Sequence, residues 1–503
     1  MDNKKEISTG VERKLYDRIL KYTGVFSSVQ GVALVISVVL AKAKSLLLGP
    51  AGFGITENLN RTTDIIKNAT NLGIQTVAVP EISVSTDEHQ KALLSERILV
   101  TRSWALLTAI VGMAVCLVLA PLLSLWAFDG DNSYSFSFMA LSLAVAATAV
   151  TGGETAILRG TGMLRQIALS QLLTGLVSLC ISVPLYWFLR FDGIVPALAL
   201  SAMGSTAVTC FYSCRRFPYR ACPFSWKVLH QGTGMIGFGI YFTAAAFLGA
   251  WAWSFIARYL TEQGGTELTG MYSAGYMLVN YLMTLLLSVS DSEYYPRLSA
   301  AGNNMKEAHR IMDNQVRAMC MLAAPVVILF ILCVPVMVYV ALEYEKFQMS
   351  TTLAQMAVIG LFFKAVYQPV AYLVLARSDS RIYLMQEAIC YILLITCVVM
   401  GYRMAGPLGI GLSFAVWEFS YLILTLIVSR LRYGFIMSLD SVRNILIQGS
   451  LVILAAVCVY AGFRMWLTCS IIICAVSILI SLRFFYKHAS FLTVLSSRLF
   501  RKS

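Results

Sequence analysis

Apolar runs of roughly span length recur along most of the chain, with short polar turns between them. They fall at 22–46, 53–79, 103–127, 134–157, 166–188, 193–213, 233–257, 268–291, 317–342, 351–375, 382–402, 407–429, 444–463 and 466–485. A helix needs about 20 residues to cross a hydrocarbon core about 30 Å thick. The pattern therefore predicts an all-α integral membrane protein of about fourteen transmembrane helices. One run departs from the rest. In 53–79, Glu57, Arg61, Asp64, Asn68, Asn71 and Gln75 recur at steps of three and four, while Ile65, Ile66, Leu72, Ile74 and Val77 lie mostly off that stripe. A charge at the bilayer centre costs roughly 2.5–3.5 kcal/mol on insertion scales. This helix is therefore expected to line a wet cavity. The competing reading is an amphipathic helix lying on the membrane surface.

Charge placement decides between the two. The outer turns hold only Arg190, Arg258, Lys346, Arg403 and Arg464 of the 39 basic residues, if the amino terminus is cytoplasmic and 53–79 spans. Laying 53–79 on the surface would swap every later loop and invert this bias, against the positive-inside rule. Both termini are thus expected in the cytoplasm. The net charge of +13 becomes a topology signal facing anionic membrane lipids, and it does not call for a nucleic-acid partner. Only 13% of residues are charged, against about 25% in soluble proteins. The twelve cysteines are scattered, mostly within runs, and read as small core residues.

A repeat organises the runs. Lys42 matches Arg258, Gly52 matches Gly270, Pro80 matches Pro296, Arg159 matches Arg377 and Gly193 matches Gly409, all at offsets of 216–218 residues. Two pseudo-symmetric six-helix lobes follow, 22–214 and 233–430. They are preceded by an interfacial segment (1–21), joined by a basic linker (215–232), and followed by a helix pair (444–485) and a basic tail (486–503). Both lobes start on the same side, so the repeat is parallel.

Candidate chemistry lies where polar groups enter the runs. Arg61, Lys67 and Lys364 lie inside spans, with Lys42 and Arg258 at equivalent outer ends. Together they are candidates for a phosphate-binding cationic cavity, Arg bidentately and Lys as a point charge. Arg61 can instead pair with Glu57 or Asp64, Lys67 with Asp64, and Lys42 and Arg258 can snorkel to the interface. Lys364 shows no evident carboxylate partner in the sequence. In the eighth run Ser273, Asn280, Thr284 and Ser288, flanked by Tyr272, Tyr276 and Tyr281, offer groups suited to a sugar, or to helix–helix bonding, and Asn68 of the stripe is a further substrate-binding candidate. Asp64, Glu154 and Glu418 are candidates to couple a proton or sodium ion. No phosphate-cradling glycine loop, hydrolase order of Ser, His and Asp, or metal-ligand cluster is evident, so transport is expected rather than catalysis, with no cofactor.

The segment Lys42…Leu48-Gly49-Pro50-Ala51-Gly52-Phe53-Gly54, followed by a polar span and Leu72-Gly73-Ile74, resembles the opening of Wzx-type O-antigen and polysaccharide flippases. These belong to the multidrug/oligosaccharidyl-lipid/polysaccharide (MOP) exporter superfamily. The resemblance implies a two-lobed bundle in the bacterial inner membrane and a cationic cavity. It implies as substrate an undecaprenyl-pyrophosphate-linked oligosaccharide, moved from inner to outer leaflet, with polysaccharide polymerase machinery as partner. Fourteen spans, where many Wzx proteins have twelve, leave a lipid II flippase open. An ion-coupled multidrug exporter is a further alternative. A membrane glycosyltransferase is disfavoured by the short loops.

Overall fold

The computed structural model describes residues 2–84, 91–219, 226–301, 304–377, 379–460 and 466–488. Part of the basic linker (220–225) and most of the basic tail (489–503) lie outside the described residues. Within them the chain is helical throughout, with no strand. In hydrocarbon every backbone N–H and C=O must be satisfied within the segment, and the helix does this. The helices are α1 (Asp2–Thr70), α2 (Ile74–Val84), α3 (Lys91–Ala127), α4 (Ser135–Gly160), α5 (Leu164–Leu189), α6 (Ile194–Cys214), α7 (Trp226–Gln231), α8 (Thr233–Ala300), α9 (Met305–Ala341), α10 (Gln348–Ala376), α11 (Ser380–Tyr433), α12 (Leu439–Tyr460) and α13 (Trp466–His488).

Ten stretches of described helix are long and apolar enough to cross a membrane. Four of them, Gly31–Thr70, Arg165–Cys214, Gly239–Leu287 and Ser380–Tyr433, are 40–54 residues long, and each overlaps two of the runs expected from hydropathy. A straight 54-residue helix such as α11 would be about 80 Å long at 1.5 Å per residue. Instead α11 folds back at Ala405–Gly406. Ser413 Oγ donates to the Cys397 carbonyl at 2.8 Å and Trp417 Nε1 to that of Cys390 at 2.9 Å. The helix α8 folds back at Gly264–Gly265, so that Thr269 Oγ1 lies 3.3 Å from the Ala257 carbonyl oxygen. α1 breaks at Gly49, and a short 3-10 turn, Arg190–Gly193, joins α5 to α6.

The duplication is visible in these turns. Gly49 (φ 65°, ψ −169°) and Gly265 (φ 69°, ψ −176°) share one conformation, and so do Arg190 (φ 53°, ψ −122°) and Gly406 (φ 58°, ψ −141°). Both pairs are 216 residues apart. A positive φ suits glycine, and three of the four positions have it. A side chain at Gly193 would overlap the Leu185 carbonyl, and one at Gly409 that of Gly401, again at the same offset.

The chain divides into two compact units, Met1–Gly270 and Met271–Ser503. In the first, Leu59 and Ile66 of α1 pack with Cys116 and Leu123 of α3, Phe138 and Leu141 of α4, Tyr186 of α5 and Ile194 of α6. In the second, α10 packs on α9 and α11, and glycines bring backbones close: Gly360 abuts the Phe414 carbonyl and Gly411 that of Leu353. The helices α12 and α13 are fixed to α9 by a buried polar network. Ser477 Oγ donates to Gln448 Oε1 (2.7 Å), Gln448 Nε2 to Ser481 Oγ (3.1 Å), and Ser481 Oγ to the Met321 carbonyl (2.7 Å).

Candidate functional site

The polar stripe sits on the second limb of α1, and one of its neighbours is the first limb of α8. The two limbs run antiparallel, with Asn58 beside Thr261 and Thr62 beside Ser254; Gly73 meets Gly239 at one end, and at the other Gly54 meets Thr266 and Gly270 just beyond the break in α8. A methyl at Gly54 would overlap the Thr266 carbonyl and one at Gly270 that of Pro50, so only glycine permits this approach. Between the glycine contacts the seam is polar. Asn58 Nδ2 donates to Thr261 Oγ1 at 2.8 Å, and the Thr62 and Ser254 hydroxyls are 3.2 Å apart.

The apolar side of the limb is buried at Leu59 and Ile66, while Glu57, Arg61, Asp64, Lys67 and Asn68 keep partial exposure. The expected span does not continue as one helix, however. It stops at Thr70, Asn71–Gly73 form a turn with Leu72 at φ 50° and Gly73 at φ 64°, and α2 starts at Ile74. The stripe therefore holds its helical register from Glu57 to Asn68, and Asn71 and Gln75 belong to the turn and to α2. The physical reason is local: Gly73 supplies the left-handed conformation that ends a helix.

Every charge on this limb is paired within one turn. Arg61 Nε lies 2.6 Å from Glu57 Oε1, and Lys67 Nζ lies 2.9 Å from Asp64 Oδ1. The Arg61 guanidinium also lies over Trp253 of α8, 5.0 Å from the ring centroid. Arg258 repeats the arrangement on α8, with Nε 2.6 Å from Glu262 Oε1 and its guanidinium 4.4 Å from the centroid of Trp126 on α3. Trp126 Nε1 donates to Ser254 Oγ at 3.3 Å, tying that ring to the seam. Lys42 is half-buried in the first limb of α1. Lys44, beside it, places its ammonium 3.7 Å from the Phe53 centroid.

Glu154 has a buried partner from just outside the apolar run 103–127. Arg102 of α3 forms a bidentate pair with it (2.8 and 3.0 Å), and both are buried. Arg102 also donates to the Phe217 carbonyl at 2.9 Å, and the Tyr219 hydroxyl donates to Glu154 Oε1 at 2.8 Å. Burial, and then the Glu154 charge, hold the Tyr219 phenol well above its usual range, so it remains a donor. Trp104 Nε1 donates to the Leu229 carbonyl at 3.1 Å. The described parts of the linker are thus docked on α3.

In the second unit Lys364 has the partner its sequence neighbourhood lacked. Its ammonium lies 3.7 Å from Glu418 Oε1, and Tyr367 donates to Glu418 Oε2 at 2.6 Å. A second carboxylate, Glu387, accepts from Tyr421 at 3.1 Å. A candidate anion-binding lysine and a candidate coupling carboxylate therefore form one cluster. Asn280 is exposed, and Thr284 donates to its backbone carbonyl at 2.9 Å. Sequence reasoning missed Arg102, Trp126, Trp253 and Glu387. The available signal was their type, charge or indole within or beside an apolar run. Among the described residues no group of three or more His, Cys, Asp or Glu could hold a metal ion.

Three solved structures share this fold. The lipid II flippase MurJ in an inward closed conformation aligns over 93% of this chain and 99% of its own, with 12% identity and a TM-score of 0.68. An inward-facing multidrug resistance MATE family transporter of the MOP superfamily aligns over 81% and 94%, with 14% identity and a TM-score of 0.59. A MOP superfamily transporter from Pyrococcus furiosus, whose binding pocket is described as reversed in polarity, aligns over 82% and 96%, with 12% identity and a TM-score of 0.61. At such identities the likeness is one of fold. No curated protein matches the sequence. Residues 39–348 match the family described as polysaccharide biosynthesis protein. With well over half its length covered by that match, this chain is a multi-pass membrane member of the polysaccharide biosynthesis protein family, built on the fold of the MOP superfamily transporters.

Proposed function

We propose that this protein is a flippase that carries an undecaprenyl-pyrophosphate-linked oligosaccharide, the repeat unit of an O-antigen or other surface polysaccharide, from the inner to the outer leaflet of a bacterial inner membrane. The observation that carries the reading is the half-buried polar stripe from Glu57 to Asn68 on α1, in a chain whose family is that of polysaccharide biosynthesis proteins. An intramembrane polar face is costly unless it meets water or a polar cargo. Alternating access of the two sequence lobes, with both termini in the cytoplasm, would move the glycan while the lipid tail stays in the bilayer. The Asp64–Lys67 pair and the Lys364–Glu418 cluster are the places for a coupling proton or sodium ion. Glu154 serves that role less well, because Arg102 and Tyr219 engage it. The partner would be the polymerase machinery that consumes the flipped unit.

The test is a host lacking this gene, assayed for lipid-linked glycan and its leaflet. Finished oligosaccharide should build up on the inner leaflet and clear when the intact gene returns. Normal lipids together with altered sensitivity to amphiphilic cations would replace this reading with an ion-coupled exporter. A second reading, lipid II as cargo, is favoured by the alignment with MurJ over 93% of the chain, a share that extends well past the first twelve helices expected from sequence. Accumulation of lipid II in the same assay would select it.

A further inference from the structure

The basic residues of the stripe were candidates to bind a phosphate group, and their geometry argues for a different part of the cargo. Arg61 and Arg258 each hold a glutamate one helical turn away at 2.6 Å, and Lys67 holds Asp64 at 2.9 Å. Three cations thus meet three carboxylates, and these six groups sum to no net charge. An oligophosphate needs uncompensated cations, and each of these pairs would have to open to supply one.

What the pairs do present is planar groups on aromatic faces. The Arg61 guanidinium lies over Trp253 at 5.0 Å, and that of Arg258 over Trp126 at 4.4 Å. The two sets flank one seam, because Trp253 adjoins Ser254, which bonds both Thr62 and Trp126. Further rings extend the second set: Phe255 lies 6.4 Å from Trp126 and 5.8 Å from Trp251, whose residue is 39% exposed. The polar edges are open as well, with side-chain exposure of 19–30% for Glu57, Arg61, Arg258 and Glu262. A guanidinium has five N–H donors in a fork and a carboxylate about four acceptor positions, and at this exposure both can reach groups of a bound cargo. Hydrogen-bonding forks set against indole rings match a pyranose, which has hydroxyls at its rim and C–H groups on its faces.

We propose that the Glu57–Arg61–Trp253 and Glu262–Arg258–Trp126 groups form a carbohydrate platform that binds sugar residues of the cargo, rather than its pyrophosphate. The inference rests on the flippase reading and names which part of the substrate this face takes. The phosphate must then be met by cations elsewhere in the protein.

The experiment complements the gene-deleted host with Trp253→Leu, Trp253→Phe and Trp126→Leu variants. Two carriers are scored in each: the host's complete lipid-linked oligosaccharide, and the same lipid bearing one sugar, from a strain blocked at the second glycosyl transfer. The Leu variants should lose at least tenfold in flipping the complete oligosaccharide and change less than twofold for the one-sugar lipid. Trp253→Phe, which keeps an aromatic face, should recover part of the loss. Equal loss on both carriers, or no loss on either, overturns the platform. Should the Leu variants fail to accumulate in the membrane, the wild-type chain in nanodiscs decides. Its indole fluorescence should respond to the free oligosaccharide released from the carrier by mild acid, and not to inorganic pyrophosphate; the reverse result overturns the proposal. If no lipid-linked glycan builds up in the deleted host, the flippase reading itself fails. Build-up with unaffected Trp variants removes only the platform.

Discussion

The ion pairs on the second limb of α1 and the pair joining α3 to α4 use the same chemistry in opposite ways. Glu57–Arg61 and Asp64–Lys67 link residues three or four apart on one helix, with 19–43% of each side chain exposed. Such pairs form within a single helix and contribute little to stability. Arg102–Glu154 links residues 52 apart, is 5% and 1% exposed, and satisfies its remaining groups on Tyr219 and the Phe217 carbonyl. It cannot open without leaving a buried charge. Exposure and chain separation thus sort the intramembrane charges into partly exposed pairs within one helix and a buried pair that holds two helices together. Lys364–Glu418, 22% and 7% exposed, lies between the two groups.

The sharpest way to break this contrast is to remove one member of the buried pair. Arg102→Met should lower stability by about 3–5 kcal/mol, because Glu154 is left charged and buried. The double change Arg102→Met/Glu154→Leu should recover most of that loss, read as detergent thermal melting and membrane abundance. A double variant no more stable than the single would show that the linker contacts, not the charges, dominate. Lys364→Met should destabilise less, about 2–3 kcal/mol, since Tyr367 still donates to Glu418. A loss equal to that of Arg102→Met would move this pair into the buried class. Gly265→Ala should cost about 1–2 kcal/mol because its φ is 69°, and Gly49→Ala should match it if the two turns are equivalent.

Smaller stability effects are expected on the stripe, where function should carry the signal. Arg61→Ala should change stability by less than about 1 kcal/mol yet abolish flipping, while full transport in that variant would remove the stripe from the cargo path. The mildest probe is accessibility. In a background without reactive native thiols, cysteine at Asn68 should react readily with a water-soluble thiol reagent, and cysteine at the buried Ile66 slowly. Equal rates would mean that the limb has no wet side.

Much of this organisation was legible in the sequence because it is local or periodic. The apolar runs set the helices, since hydrocarbon allows the backbone few alternatives. Glycines at a constant offset marked the turns, and the same offset returns in the dihedral angles at Gly49 and Gly265. Pairing of Arg61 with Glu57 and of Lys67 with Asp64 was open to helical spacing alone. The tertiary structure decided what joins distant positions: Arg102 to Glu154, Lys364 to Glu418, and Trp253 and Trp126 beneath their arginines. The repeat offered no guide to these ion pairs. At offsets of 216–218 residues, Glu418 corresponds to Leu200, Ser201 and Ala202, and Arg102 to Ala318, Met319 and Cys320. A duplicated sequence dictates its own turns because a turn depends on its few residues. A buried charge takes whichever partner helix packing brings within reach, and that is settled only when the whole bundle has closed around it.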